Sequence, residues 1–308
     1  MQTKRGYEFV QVDVFTDRMF GGNPLAVFPH AEGLTDDEML AIAKEMNLSE
    51  TTFVLPPTQP DCAARVRIFT PGRELPFAGH PTLGTAFVLA QRGMLSAGTR
   101  ETALEEGIGP VRIRFEGDNL RVPTFVWMEQ RDPIFGVPAA NRAMFAAALS
   151  LTENDLLPDA PILTGTTGLP WWYVPVRDVA TVDRAVLDAP TALRCLMGDE
   201  AEGIVTFAPD PNPAVGRVYT RAFIPGLPSV SEDPGTGSAT GPLAAYLAEY
   251  GHVTPDRNGA IQIVSEQGTA MGRPNFLHVR LQLVAGHATN ITVGGGVVPV
   301  LEGTLWLP

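Results

Sequence analysis

The sequence predicts an α+β fold made of two similar halves, each a curved, mostly antiparallel sheet around one central helix. Two kinds of observation favour it: short apolar segments with the alternation typical of strands, and four landmarks that recur in the same order 146 to 154 residues later. This repeat is far longer than a solenoid unit, so we expect two domains. Their predicted bounds are residues 1–124 and 125–308, and the last strands are free to return to the first half.

The first half has the pattern of strands interrupted by two helices. Thr35 and Glu38 have the spacing of a capping box, which predicts a helix from there to Met46. A second, strongly apolar helix is expected after His80. Strands are expected at residues 7–15, 25–28, 49–55, 63–69, 111–115 and 120–122.

The second half repeats this order. A helical stretch is expected from Val182 to Met197, and a second apolar helix should begin at Asp233, because Asp is a favoured N-cap and Pro234 a favoured first helical residue. The glycine run at residues 294–296 is expected to be a turn. Strands are expected at residues 168–174, 202–207, 260–264, 277–283, 289–294 and 297–301.

The two apolar helices share an entrance sequence. Residues 79–86 align with residues 232–239, so that His80 corresponds to Asp233. Each glycine in the second entrance weakens the helix by about 1 kcal/mol relative to alanine, which suggests that something approaches this backbone closely. The free N–H groups and the positive end of the helix dipole would suit an anion. The three glycines concerned are Gly235, Gly237 and Gly241.

Composition excludes several classes of function. The net charge of −12 argues against binding to nucleic acid, and no apolar run reaches the ~18 residues that a membrane span needs. Residues 1–10 lack the apolar core of a signal peptide, and Cys62 and Cys195 cannot form a disulfide framework, so a cytoplasmic protein is expected. The five histidines show no paired spacing typical of a metal site, and no phosphate-binding or dinucleotide motif occurs.

Three residues are candidates for acid–base chemistry, and each also has an ordinary structural explanation. His80 and Asp233 could simply cap helices, but two equivalent helices would point both residues at one ligand in a cleft between the halves. Glu50 could be a solvated strand residue. At a helix-to-strand corner before an apolar run, its carboxylate would be partly desolvated, with a raised pKa suited to proton transfer.

Ser238 supports a rival hypothesis. Residues 237–241 fit the G-x-S-x-G pattern of serine hydrolases, and possible partners follow at Asp256, His278 and His287. The residues before Ser238 do not have the pattern of a strand, however, and no oxyanion segment precedes them. A third alternative is a non-catalytic scaffold that binds a metabolite.

Three segments, residues 47–51, 75–82 and 232–239, resemble the signature segments of the phenazine biosynthesis-like isomerase (PhzF) family, which is related to diaminopimelate epimerase. Residues 22–24 and 294–296 also fit, so the resemblance spans the whole chain. It implies a diaminopimelate epimerase-like fold, a homodimer, and a site between the halves that needs no cofactor.

The resemblance also implies roles for individual residues. Glu50 would be the principal acid–base group, and His80 and Asp233 would assist in binding and proton transfer. Phenazine-pathway members move a proton on trans-2,3-dihydro-3-hydroxyanthranilate, so we expect an isomerase acting on a small carboxylate-bearing substrate. The residues expected to bind that substrate are Asn23, Gly79, Gly237 and Ser238.

The sequence departs at two points from the families that it resembles. Epimerases of the superfamily use a cysteine pair at the helix starts, whereas Pro234 stands before the Gly-Thr-Gly segment here and both cysteines lie elsewhere. Thiol-based racemisation is therefore not expected. Gly235 stands where phenazine-pathway members usually have a small residue such as alanine, and Trp171-Trp172 could reshape the pocket, so the substrate does not follow from the fold.

Overall fold

A computed structural model describes residues 4–226 and 231–308. The chain divides into two compact units: a first unit of Met1–Glu129 with Gly294–Pro308, and a second unit of Gln130–Val293. The predicted domain boundary at residue 124 stays a prediction. In the described part of the chain, no helix combines the length and the apolar character that crossing a membrane requires.

The secondary structure of the described residues follows the alternating patterns of the sequence. The strands are β1 (Arg5–Val14), β2 (Asn23–Phe28), β3 (Glu50–Leu55), β4 (Ala64–Phe69), β5 (Glu74–Leu75), β6 (Glu101–Glu106), β7 (Gly109–Glu116), β8 (Phe125–Glu129), β9 (Ile134–Phe135), β10 (Leu163–Thr166), β11 (Trp171–Pro175), β12 (Ile204–Pro209), β13 (Arg217–Phe223), β14 (Glu232–Asp233), β15 (Ala260–Gln267), β16 (Asn275–Val284), β17 (His287–Gly295) and β18 (Val297–Leu307). The helices are α1 (Asp36–Met46), α2 (Gly79–Gln91), α3 (Arg142–Ala148), α4 (Val179–Asp183), α5 (Ala189–Cys195) and α6 (Gly237–Glu249), with short 3₁₀ turns at Glu153–Asp155 and Thr269–Met271.

The first unit is a mixed sheet with α2 at its centre. β1 pairs antiparallel with β2 and β18, β2 pairs parallel with β3, and β3 pairs antiparallel with β4. The parallel step requires a crossover, which α1 supplies; its predicted capping box between Thr35 and Glu38 is confirmed. Every residue of α2 except Gln91 is buried, because the helix is apolar all round and has sheet on several sides.

The second unit repeats this order of elements. β11 pairs parallel with β12, β12 pairs antiparallel with β13, β13 pairs parallel with β15, and β15 pairs antiparallel with β16. Every residue of α6 except Glu249 is buried. The four expected tail strands are confirmed as β15 to β18.

Several expected elements have other bounds. The single helix expected from Val182 to Met197 is two short helices, because Asp188 caps a new start at which Pro190 occupies the first turn. Residues 120–122 form a turn before β8 rather than a strand. The run at residues 294–296 is the junction of β17 and β18 rather than a turn; a methyl group on Gly295 would lie 2.6 Å from the ring of Phe15, so only glycine fits there.

The start of α6 also differs from the prediction. Asp233 belongs to β14, where it pairs with Ala222 of β13, and the helix begins four residues later with Thr236 as its N-cap. Asp233 is therefore not the helix cap. The strand ladder outweighs the local preference of an Asp-Pro pair for a helix start.

Candidate active site

Three side chains of the first unit meet at the start of α2: Asn23, Glu50 and His80, here called the acid–base group. The Nε2 atom of His80 lies 3.4 Å from the Oε2 atom of Glu50. The Nδ1 atom of His80 lies 3.1 Å from the side-chain nitrogen of Asn23, which is fully buried. The carboxylate of Glu50 keeps 17% of its side-chain surface exposed, whereas the imidazole keeps 4%. A buried imidazole thus faces a buried oxygen, Oε2, of a glutamate whose side chain is partly exposed.

Burial decides the charge of His80. It lowers the pKa of the imidazole to about 3, and a hydrogen bond with the backbone of Pro24 acts weakly in the opposite direction. The ring is therefore neutral at pH 7 and carries one N–H. A distance of 3.4 Å is longer than a good N–H···O hydrogen bond, and contacts of this kind often tighten only when substrate binds.

Two backbone features place these side chains. Helix α1 ends at Asn47, whose left-handed conformation (φ 51°) turns the chain so that β3 begins at Glu50. Gly22 also has positive φ, and a Cβ there would lie 2.3 Å from the carbonyl oxygen of Val14. Only glycine fits this approach, which sets Asn23 at the first position of β2.

The second unit holds another polar cluster, here called the α6 entrance: Asp233, Thr236 and Gln267. The hydroxyl of Thr236 donates to Asp233 Oδ2 at 2.6 Å. The side-chain amide of Gln267 donates to the Asp233 carbonyl at 2.8 Å and to the Thr236 hydroxyl at 2.9 Å, and its oxygen accepts from the Thr236 N–H at 3.1 Å. These bonds hold the chain between β14 and α6 in one geometry.

The first residues of α6 leave donors available. The N–H groups of Ala239 and Thr240 donate to the Thr236 carbonyl, so the N–H groups of Gly237 and Ser238 precede the bonded turn. The Ser238 hydroxyl makes no hydrogen bond within residues 4–226 and 231–308, and the residue is 5% exposed. Such a helix start has the chemistry of an anion site.

The glycines of this entrance make room for protein side chains. A Cβ on Gly235 would lie 2.2 Å from Asn275 Oδ1, and one on Gly241 would lie 1.8 Å from Gln130 Oε1. The expectation that something approaches this backbone is confirmed at these two positions, and it is two amide side chains that do so.

The comparisons with known proteins agree along the whole chain. The family model of the phenazine biosynthesis-like proteins (PhzC-PhzF) matches residues 12–303. The chain belongs to the PhzF family. A relative from Pseudomonas aeruginosa, named trans-2,3-dihydro-3-hydroxyanthranilate isomerase, is 33% identical over 98% of this chain and 100% of its own, and other relatives are also named isomerases. The protein is therefore an isomerase.

Solved structures give the fold. A PhzF-family protein of Bacillus anthracis has a TM-score of 0.84 at 28% identity and covers 98% of this chain and 100% of its own. A probable proline racemase of Agrobacterium radiobacter, at 16% identity, shares the fold alone, with a TM-score of 0.62 over 98% of this chain and 93% of its own. The predicted α+β, diaminopimelate epimerase-like fold of this PhzF protein is confirmed.

The structure brings the expected site residues together in two sets. Asn23, Glu50, Gly79 and His80 meet in the first unit, and Asp233, Gly237 and Ser238 in the second. Their roles remain predictions. Among the described residues, no three side chains of His, Cys, Asp or Glu are grouped so that they could hold a metal ion.

The expected alignment of the two entrances is wrong by five residues. Because α2 begins at Gly79 and α6 at Gly237, His80 corresponds to Ser238. Asp233 corresponds to Leu75, since each is the second residue of the two-residue strand before its helix. The histidine and the aspartate therefore occupy different positions in their units.

The sequence reasoning also missed buried polar residues beside both helix starts. Gln267 holds the α6 entrance, and Glu106 lies buried against Thr82 in the first turn of α2. The Glu105-Glu106 pair has the pattern of a solvated strand end. A signal was nevertheless present: Glu105 and Glu106 end β6 just before the glycine of a tight hairpin. Because successive side chains of a strand point to opposite faces, one of these two must point inward.

Proposed function

We propose that this PhzF protein is a cofactor-independent isomerase that removes a proton from one carbon of a small carboxylate-bearing substrate and returns it to another. The observation that carries the proposal is the 3.4 Å approach of the partly exposed Glu50 side chain, through Oε2, to a buried, neutral His80. The relative that is named trans-2,3-dihydro-3-hydroxyanthranilate isomerase supports this substrate class.

In the proposed reaction, Glu50 accepts the substrate proton and later returns it. The side-chain nitrogen of Asn23 can only donate, so its contact makes Nδ1 the acceptor and leaves the N–H of the neutral imidazole on Nε2, where it can donate to the Glu50 carboxylate. His80 therefore favours the ionised form of Glu50, which is the form that accepts the substrate proton. Asn23 fixes the ring from the Nδ1 side.

The same proposal gives the second unit the task of binding the carboxylate. The N–H groups of Gly237 and Ser238 and the Ser238 hydroxyl supply donors, and Asp233 is held in place by Thr236. That both sets of residues serve one substrate is a prediction implied by the family resemblance, as is the part of Gly79.

The alternative of a serine hydrolase has little support. A hydrolase nucleophile stands on the tight turn after a strand, whereas Ser238 is the second residue of α6. Its hydroxyl has no histidine as a hydrogen-bond partner in the described residues. A fluorophosphonate probe should therefore leave Ser238 unlabelled.

The decisive experiment follows proton exchange. We expect the wild-type protein, incubated with trans-2,3-dihydro-3-hydroxyanthranilate in deuterated water, to introduce deuterium at carbon. Glu50→Gln should slow this exchange by about 10²–10⁴-fold, which is the contribution typical of one side chain positioned as a general acid or base. The matched control is Glu101→Gln, an exposed glutamate at the start of β6, which should leave the rate unchanged.

Two results would contradict the proposal. Full exchange by Glu50→Gln would remove Glu50 from the mechanism. Binding without exchange for this substrate and for a panel of small unsaturated carboxylates would favour the metabolite-binding scaffold. The homodimer, the internal duplication and the cytoplasmic location stay predictions; sedimentation of the purified protein tests the first.

A further inference from the structure

A buried carboxyl group lies next to α2, outside the acid–base group. Glu106, the last residue of β6, is 5% exposed, and its Oε1 atom lies 2.6 Å from the Thr82 hydroxyl. Its Oε2 atom has no hydrogen-bond partner within the described residues. A carboxylate with one bond at this depth would be costly, because burial penalises the charged form.

The Thr82 hydroxyl shows where the proton is. The hydroxyl lies 2.6 Å from the carbonyl oxygen of Ala78 and 2.6 Å from Glu106. A carbonyl only accepts and a hydroxyl has one proton, so the Thr82 proton goes to Ala78. The second short contact is then a hydrogen bond only if Glu106 donates to Thr82, which requires the carboxylic acid form.

The second unit has a permanently neutral group at the equivalent place. In each unit one strand carries an arginine that stacks over a phenylalanine: Arg67 in β4 and Arg221 in β13. With these arginines taken as equivalent, the parallel pairings of β4 with β6 and of β13 with β15 make Glu106 the counterpart of Gln267. Gln267 uses its amide protons to hold the α6 entrance. A protonated Glu106 would do the same for α2.

We propose that Glu106 is a neutral carboxylic acid at physiological pH and a positioning residue that, through Thr82, fixes the first turn of α2, on which His80 lies. The importance of this turn for catalysis rests on the proposed function, whereas the protonation state does not. Other acidic groups nearby are accounted for: the carboxylate of the adjacent Glu105 accepts from Thr58 and Gln59.

The surroundings agree with a neutral acid. Burial raises the pKa of Glu106 to about 8. The nearest titratable side chain on α2, His80, is neutral at pH 7 because burial lowers its pKa. Neither Thr82 nor His80 therefore supplies a positive charge that would hold Glu106 ionised.

The protonation state is tested on the intact protein. Infrared difference spectra at pH 7 between wild type and Glu106→Gln should show the band of one protonated carboxylic acid, which disappears on unfolding. As the pH rises from about 5 to about 8, the folding equilibrium constant of wild type should also fall about tenfold per pH unit relative to that of Glu106→Gln. In that range the unfolded chain has lost the proton that the native state keeps. A carboxylate at pH 7, or parallel stability profiles, would overturn the proposal.

The positioning role has its own readout. We expect Glu106→Leu, which removes the donor, to lower the proton-exchange rate of the proposed reaction, and Glu106→Gln, which keeps a donor, to restore it. Gln267→Glu is the matched variant and should introduce a new pH dependence of stability. Equal rates for Leu and Gln variants would refute positioning. If wild type shows no exchange, the proposed function fails while the infrared and stability results still decide the protonation state.

Discussion

The two central helices have the same frame and different chemistry at their starts. Each has 13 residues, begins four residues after a two-residue strand, and is followed by a glycine with positive φ, Gly93 or Gly251. At the second helical position the first unit has His80 and the second has Ser238. The preceding strands end in Leu75 and Asp233.

Under the proposed function, one backbone arrangement serves two chemical tasks. In α2 the titratable group lies inside the helix, where burial keeps its imidazole neutral beside Glu50. In the second unit the titratable group, Asp233, lies on strand β14 before the helix, and the start of α6 presents N–H groups and a hydroxyl. The first arrangement suits proton transfer, and the second suits binding of an anion.

The largest expected effect separates these two tasks. His80→Gln should reduce kcat of the proposed reaction by about 10²–10⁴-fold, because it removes the imidazole that contacts the Glu50 carboxylate. Ser238→Ala should raise KM by about three- to tenfold with little change in kcat, since one neutral hydrogen bond contributes ~0.5–1.5 kcal/mol. Steady-state kinetics on both variants provides the measurement. A kcat effect of the same size for Ser238→Ala would mean that both helix starts take part in proton transfer.

The next prediction concerns pH. The native imidazole of His80 titrates at about 3 and an unfolded histidine near 6.5, so the unfolded chain binds an extra proton between these values. Wild type should therefore lose ~1.4 kcal/mol of unfolding free energy per pH unit, relative to His80→Gln, as the pH falls below about 6.5. Denaturant titrations at several pH values measure it.

A second histidine provides the comparison for this pH effect. Burial lowers the pKa of His252 as well, but this ring is only half-buried, so His252→Gln should show the same sign over a narrower range. If His80→Gln kept the acid sensitivity of wild type, the buried neutral state of His80 would be refuted.

The third prediction compares one ion pair that occurs in both units. Arg67 pairs with Glu74 and Arg221 with Glu232, but the second pair is more buried, with 12% of each side chain exposed. Arg221 also donates to three backbone carbonyls around α4. We expect Arg221→Met to cost ~3 kcal/mol and Arg67→Met less than about 1 kcal/mol, measured by chemical denaturation.

A double variant controls for the charge left behind. Much of the cost of Arg221→Met should come from the stranded Glu232 carboxylate, so adding Glu232→Met should recover part of the lost stability. Equal costs for Arg67→Met and Arg221→Met would show that burial does not distinguish the two pairs.

The sequence was sufficient for the fold class and for most of the candidate residues. Alternation predicted the strands, and the motifs marked Glu50, His80 and Asp233. The position of α6 could not be read locally, because pairing of Asp233 with Ala222 is a long-range contact that overrides the capping preference. Glu106 escaped notice for a related reason: whether a glutamate is solvated or buried depends on what packs over its strand.

The smallest effect tests the hydroxyls that close the first turn of each helix. Thr82 donates to Ala78 and Thr240 donates to Thr236 in the same way, but only Thr82 also contacts Glu106. Thr240→Val should cost ~1 kcal/mol of unfolding free energy, the value of one neutral hydrogen bond. Thr82→Val should cost ~1 kcal/mol more, because it leaves a buried acid without an acceptor, and Thr82→Ser should restore most of it. Equal losses for the two valine variants would mean that the contact between Thr82 and Glu106 adds no stability to the start of α2. The two helix starts would then be held in the same way.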